Sequence, residues 1–386
     1  MVFNTEQIVA LSREHGTPLF IYSKDYILKQ AEVMKAVPAP FGLTVRYAMK
    51  ANSLSEILAI LNAHNIHIDA SSGYEAQSAI DAGYQPAKIA LTSQQLTHNL
   101  EDLLEQGIEF NATSLHQLET YGALKPNTEV GVRVNPGVGS GHSVKTNVGG
   151  KTSSFGIWHE YIDQIHEICR RYQLTVKRLH THIGSGTDPA VWQEVIRISL
   201  EVIKNFPHAT TINLGGGFKV ARMPEEQGAD MKVIGNALAK ELTRFAQETG
   251  RELQLELEPG TFLVANAGVL VAKVDDIVDT GEDGYNFIKL NTGLNDILRP
   301  SLYGAQHPIH VLSESTQKDE YVVVGHNCES GDLLTPAPGD PEVLRPRLLR
   351  KPNIGDLVVI EGTGAYCASM SARGYNGFPD AAQMMI

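Results

Sequence analysis

The chain has 386 residues, with 32 Lys and Arg against 44 Asp and Glu, a formal net charge of −12, 42% hydrophobic and 20% charged residues; at roughly 100–200 residues per domain this predicts a two-domain globular protein. The acid excess and the lack of a Lys/Arg run argue against a nucleic-acid partner, and no stretch approaches the roughly 20 apolar residues of a membrane span. Three cysteines, Cys169, Cys328 and Cys367, are too few for a disulfide framework, and the polar start MVFNTEQIVALSREHG has no signal-peptide core, so the expected compartment is the reducing cytoplasm.

In chain order, strands are predicted at 44–49 (TVRYAM), 66–70 (IHIDA), 88–91, 109–112, 130–134 (VGVRV), 176–182, 211–214 and 253–258. Helices are predicted between them at 53–62, 75–82, 100–106, 115–121, 161–172, 190–205 and 233–249, where apolar residues recur at three- and four-residue spacing. The first helix offers Ser53 as N-cap with Glu56 three residues on, the spacing of a capping box. This alternation predicts a parallel (β/α)8 TIM barrel, an α/β fold, over an open doubly wound sheet. Beyond Phe262 the chain becomes strand- and turn-rich, which predicts a second, mainly antiparallel β domain. The run LFIY at 19–22 is a candidate partner for it, and PAPGDPEVLRP at 336–346 reads as a surface loop. The domains are thus expected at 27–262 for the barrel and at 1–26 with 263–386 for the β domain.

Candidate chemistry clusters at strand ends, where a barrel builds its active site. Lys50 ends the first barrel strand; alone it reads equally as a snorkelling surface residue. His180 and His182 share a face with Gly184. They offer two metal ligands or two structural rings, but the glycines and Ser185 suit an anion loop better. Gly215, Gly216 and Gly217 expose backbone N–H groups and permit positive φ, as a phosphate cradle or a tight turn requires. Glu256 and Glu258, before Pro259 and Gly260, lie on one side of the eighth strand. Inside a barrel they need a cation or a proton donor, and a protonated ring nitrogen of a cofactor would serve. Cys328, in NCESGD, is a reactive thiol or a small buried residue. Tyr366, in GTGAY, is a donor to an anion or a packed ring with a wet tip.

Taken together, YAMKAN, HIDASSGYE, HTHIGSG, GGGF, EPG, RPSLYGAQHP, CESGD and GTGAYCASM resemble, in order and through nearly the whole chain, the fold-type III pyridoxal-phosphate decarboxylases. That group includes the diaminopimelate, ornithine and arginine decarboxylases and shares its barrel with alanine racemase. The resemblance implies pyridoxal 5′-phosphate as cofactor, an amino acid as substrate and no metal. It implies that Lys50 forms the Schiff base with the cofactor aldehyde, that His182 stacks on the ring and that Glu258 pairs with the ring nitrogen. Ser185, Gly216, Gly217 and Tyr366 look like phosphate contacts, Gly260 belongs to the same cofactor site, and Asp69 looks like the residue behind the lysine. Cys328 and Glu329 look like residues that reach a neighbouring subunit's site, which implies a homodimer with shared sites.

Within the group, HxHIGS, RPSLY at 299–303 and CESGD are most similar to the diaminopimelate branch. That implies meso-diaminopimelate as substrate, lysine and CO2 as products, and Arg299, Tyr303, Glu329 and Tyr366 on the substrate. Cys328 is then the expected proton donor to the α-carbon, with Lys50 as the alternative. Two departures stand out: Thr261 replaces the arginine of Glu-Pro-Gly-Arg, and Ser154-Phe155-Gly156 replaces Lys-Phe-Gly. Thr261 favours a rival, a decarboxylase of another carboxylated amino acid. A racemase would be expected to carry arginine near the ring nitrogen instead of Glu258. A barrel-only cofactor-binding protein would lack the β domain, Cys328 and Glu329.

Overall fold

The computed structural model describes residues 2–138, 149–182 and 186–386. They form two compact units: Leu28–Lys219 with Gln227–Gly260, and Met1–Ile27 with Val220–Glu226 and Thr261–Ile386.

The first unit is a closed barrel of eight parallel strands. Leu43–Ala48, His67–Ala70, Ile89–Leu91, Glu109–Ala112, Glu129–Asn135, Thr175–His180, Thr211–Asn213 and Gln254–Leu257 pair in that order. Closure comes from Leu255 opposite Leu43 and Glu256 opposite Thr44, which rules out an open sheet. The strands are almost wholly buried, as expected of parallel strands covered by helices. Helix starts are set by side-chain caps: Ser72 accepts from the Glu75 amide, Ser114 from Gln117, and Asp230 from Lys232 and Val233.

Local competition moves three predicted boundaries. The first strand stops at Ala48, and Met49–Ala51 form a 3-10 turn that carries Lys50. The strand expected to reach residue 182 stops at His180, because its neighbour ends at Asn213. The helix expected at 53–62 is Ser55–Ala63, and Ser53 does not cap it. Asn52 Oδ1 accepts from the Leu54 amide at 3.1 Å, a turn that delays the helix start, and Glu56 accepts from Ser55 Oγ at 2.9 Å instead of closing a capping box.

Inside the barrel, Glu256 lies in a charged layer near the strand starts. Its carboxylate meets Arg46 Nη2 and Arg178 Nε, each at 2.8 Å, and both arginines also pair with Glu109. Burial would raise the Glu256 carboxyl, but the two arginines outweigh it and hold it below its ordinary value.

The second unit is built on the long strand Gly268–Asp279, which pairs antiparallel with Leu19–Tyr22, Leu357–Glu361 and Asn286–Leu290. Ala382–Met385 runs parallel to Leu19–Tyr22. Thr5–His15, a helix that the apolar pattern did not signal, starts in a capping box of Asn4 and Gln7. Its Ile8 packs with Phe3, Leu19, Ile21, Val269, Val271 and Val359. The segment read as a loop at 336–346 contains a hairpin, Pro336–Ala337 with Asp340–Leu344, turned by Gly339 at φ +77°. Among the described residues no helix is long and apolar enough to cross a membrane.

Candidate active site

The carboxyl ends of the barrel strands gather an amine, two carboxylates, two imidazoles and a bare glycine turn. Lys50 stands on the 3-10 turn after the first strand, closed by Tyr47 OH donating to Asn52 O at 2.8 Å. Its Nζ lies 3.1 Å from Ser71 Oγ and 3.4 Å from Asp69 Oδ2. The lysine side chain is 43% exposed and that of Asp69 3% exposed, so the amine is accessible while its counter-charge is not. Asp69 Oδ1 is buried without a hydrogen-bond partner. Burial and the nearby Glu258 push the Asp69 carboxyl up to about 6, against the pull of Lys50.

Glu258 follows the last barrel strand by one residue, on the same side as Glu256. Its Oε1 accepts from Asn213 Nδ2 at 2.7 Å and its Oε2 lies 3.1 Å from His180 Nε2. Asn213 Nδ2 also reaches Glu256 at 3.1 Å, so one amide ties the two glutamates together. Burial would raise the Glu258 carboxyl, but His180 and then Lys50 outweigh it and hold it well below the usual carboxylate range. His180 Nδ1 is buried without a partner. His182 is driven far below its ordinary value by burial and then by Arg133, so its ring is neutral. Arg133 is buried, stands over the Phe155 ring at 4.9 Å and has no carboxylate within 4 Å among the described residues.

The Gly215–Gly217 turn has no room for side chains. At Gly215, φ +69°, a Cβ would lie 2.7 Å from His182 Cγ; at Gly216 it would lie 2.2 Å from Glu258 O. Gly217 has φ +104°, and its carbonyl accepts from the Gly186 amide at 3.0 Å. Gly260 serves closeness elsewhere: a Cβ there would lie 3.1 Å from Ala51 Cβ, in the turn that carries Lys50. Ser185 lies outside the described residues.

In the second unit, Arg299 opens the short helix Arg299–Tyr303. Its Nη1 lies 2.9 Å from His307 Nε2, and His307 Nδ1 lies 2.8 Å from Glu361 O. Burial, then Arg299 and Arg222, keep His307 neutral, so Nδ1–H donates to the carbonyl and Nε2 accepts from the guanidinium. Tyr303 OH lies 3.9 Å from Met370 Sδ. Tyr366 holds the left-handed conformation, φ +56°, a strained backbone for a tyrosine. Cys328 and Glu329 sit on an exposed loop anchored by Asp332, which accepts from Leu294 N and from Asn327 N and Nδ2. The Cys328 amide donates to Asn376 Oδ1 at 2.7 Å, and Glu329 accepts from Gly331 N at 3.1 Å and Tyr375 OH at 3.3 Å. These bonds, the Gly331 amide first, hold the Glu329 carboxyl below its ordinary value.

The expected residues Lys50, Asp69, His182 and Glu258 meet in the first unit; with them lie Arg133 and Asn213, which sequence reasoning did not name, and His180, which it named only as a metal ligand or a structural ring. The signal was available: a charged or amide side chain in a parallel strand buried on both faces has no ordinary reason to be there.

Residues 24–265 match the model of the pyridoxal-dependent decarboxylases' pyridoxal-binding domain. The chain is 34% identical to the diaminopimelate decarboxylase of Streptomyces coelicolor over 98% of its own length and 87% of that protein. It is similar to a crystal structure of diaminopimelate decarboxylase, with a TM-score of 0.92 and 32% identity over 100% of this chain and 93% of that one. It is also similar to the Helicobacter pylori enzyme of that name complexed with L-lysine, with a TM-score of 0.85 and 26% identity over 99% and 94%.

Proposed function

The chain belongs to the pyridoxal-dependent decarboxylases, and from that membership we propose that it removes one carboxyl group of meso-2,6-diaminopimelate to give L-lysine and CO2. The names of its relatives support that substrate. The observation that carries the reaction type is Glu258, a buried carboxylate kept ionised beside a lysine amine and a bare glycine turn.

Pyridoxal phosphate is the family's cofactor, and these residues fit it. Asp69 Oδ1 and His180 Nδ1 are buried polar atoms without partners, and the Gly215–Gly217 turn offers bare backbone with no side chain in the way. When bound, the cofactor draws electrons from the α-carbon as the carboxyl group leaves. Lys50 would hold the aldehyde covalently, with Asp69 positioning the amine. Glu258 would keep a proton on the ring nitrogen, because a carboxylate with so low a proton affinity leaves the proton where it is. Neutral His182 would stack on the ring face. Gly216, Gly217, Gly260, Ser185 and Tyr366 would take the phosphate end. Racemisation needs a weaker electron sink, so Glu258 favours decarboxylation.

On the substrate, Arg299 would face the carboxylate of the end that is kept, and Glu329 its ammonium, with Tyr303 and Tyr366 adding hydrogen bonds. Cys328 would return a proton to the α-carbon, or Lys50 would. We infer a homodimer in which the exposed Cys328–Glu329 loop of one chain completes the site of the other. The acid excess offers no basic face to a nucleic acid. An exposed Cys328 without a disulfide suits the reducing cytoplasm. Thr261 brings no cation to the substrate, the one feature that favours a different carboxylated amino acid.

The test is to incubate the cofactor-loaded protein with meso-diaminopimelate, lysine, ornithine and arginine and to assay CO2 and amine product. Equimolar CO2 and lysine from meso-diaminopimelate, ahead of the other three, is expected. Faster release from ornithine or arginine, or none from meso-diaminopimelate, overturns the substrate.

A further inference from the structure

Arg222 is held by backbone, and among the described residues it forms no ion pair. Its Nε donates to Gly362 O at 2.9 Å, and its Nη2 is buried without a hydrogen-bond partner. A Cβ at Gly362, φ +68°, would lie 3.0 Å from Arg222 Cδ and Cγ, so the bare backbone is what lets the side chain lie against the end of the strand. The preceding carbonyl, of Glu361, holds His307, and His307 holds Arg299. The successive carbonyls of Glu361 and Gly362, at the end of Leu357–Glu361, therefore fix two arginines, one directly and one through an imidazole.

Among the described residues no carboxylate lies within 4 Å of Arg222 or Arg299. Glu226 instead accepts from the backbone amides of Arg222 and Met223, at 2.8 and 3.2 Å. Burial, then the charge of Arg299, pushes Arg222 down to about 9, and His307 and the buried Cys367 thiol each feel both cations. Two guanidinium charges are gathered, partly out of water, with the charge of Glu226 as a partial offset and Arg222 Nη2 without a hydrogen-bond partner. Such a pair is costly by itself and becomes favourable when one anion bridges it.

We propose that Arg222 is a specificity-determining residue that acts with Arg299 as a two-guanidinium clamp for one carboxylate, that of the end of the substrate which is not cleaved. The proposal rests on the decarboxylase reading above. It explains how the chain manages with Thr261, and how an amino acid without a second carboxylate is rejected: it leaves two half-buried cations unbridged.

The experiment is a titration of the cofactor-loaded wild type, Arg222→Gln and Arg222→Lys with L-lysine, which keeps the carboxylate of the uncleaved end, and with 1,5-diaminopentane, which lacks it. Pyridoxal phosphate affinity is measured alongside. Arg222→Gln should weaken lysine binding roughly 10–100-fold, the range for one hydrogen-bonded charge. Diaminopentane and pyridoxal phosphate affinities should change less than threefold, and Arg222→Lys should recover part of the loss. Unchanged lysine affinity, equal losses for both amines, or no lysine binding by the wild type overturns the clamp. So does a fall in pyridoxal phosphate affinity in place of lysine affinity, which would put Arg222 on the cofactor's phosphate. Because the titration reads binding alone, a protein that binds lysine as expected yet releases no CO2 from meso-diaminopimelate contradicts the substrate reading and not the clamp.

Discussion

The barrel carries charge in two layers, and successive inward positions of one strand end, Glu256 and Glu258, belong to different ones. In the layer near the strand starts every cation faces a carboxylate: Arg46 and Arg178 both meet Glu256 and Glu109. In the layer at the mouth the charges are incompletely matched. Among the described residues Arg133 has no carboxylate within 4 Å and feels Glu258 and Asp69 only at a distance, and Asp69 is pushed up to about 6 while Glu258 is held low. The same residue type, two positions apart, is structural in one layer and a candidate for chemistry in the other. What separates the roles is whether the protein itself completes the charge set.

Exchanging each glutamate for its neutral amide sharpens that contrast. Glu258→Gln should lower kcat by roughly 10²–10³-fold, since each tenfold is about 1.4 kcal/mol of lost stabilisation as the carboxyl group leaves. The affinity for pyridoxal phosphate should fall much less, and near-wild-type turnover would remove Glu258 from the chemistry. Glu256→Gln should do the reverse. Removing one partner of a buried ion network costs about 3–5 kcal/mol, read as a lower urea midpoint, while the cofactor spectrum of the folded fraction is kept. Equal effects of the two changes on turnover would erase the distinction between the layers.

A smaller effect concerns pH. The Asp69 carboxyl is raised from 3.8 to about 6, mainly by burial. The folded state therefore holds a proton there that the unfolded state has lost, and the contribution of Asp69 is full below about pH 4 and disappears as pH rises through about 6. Against wild type, Asp69→Asn should gain relative stability between those pH values, measured by denaturant midpoints of the cofactor-free protein. A difference that falls over that interval would mean that Lys50 lowers the Asp69 carboxyl more than burial raises it.

How much of this was legible depended on whether a residue's partner was near in sequence or announced by a pattern. The barrel was legible because eight alternations leave few topologies, and Lys50, Glu258 and the glycines stood out as candidates because each lies just past a strand's carboxyl end. Ser53 misled because the Asn52 side chain, one residue earlier, takes the Leu54 amide in a turn that delays the helix start beyond Ser53. Arg133 was hidden inside an apolar run, where one charge looks like noise until every position of the strand after Glu129 is known to be buried. Arg222 had no local signal at all: its partner is a backbone carbonyl 140 residues away.

The measurement that tests the central claim most directly is borohydride reduction of the pyridoxal phosphate-loaded protein, followed by peptide mapping. The account predicts one phosphopyridoxyl group per chain, on Lys50, and its loss together with the yellow absorbance in Lys50→Ala. A reduced adduct on another lysine, or one that persists in Lys50→Ala, would contradict it.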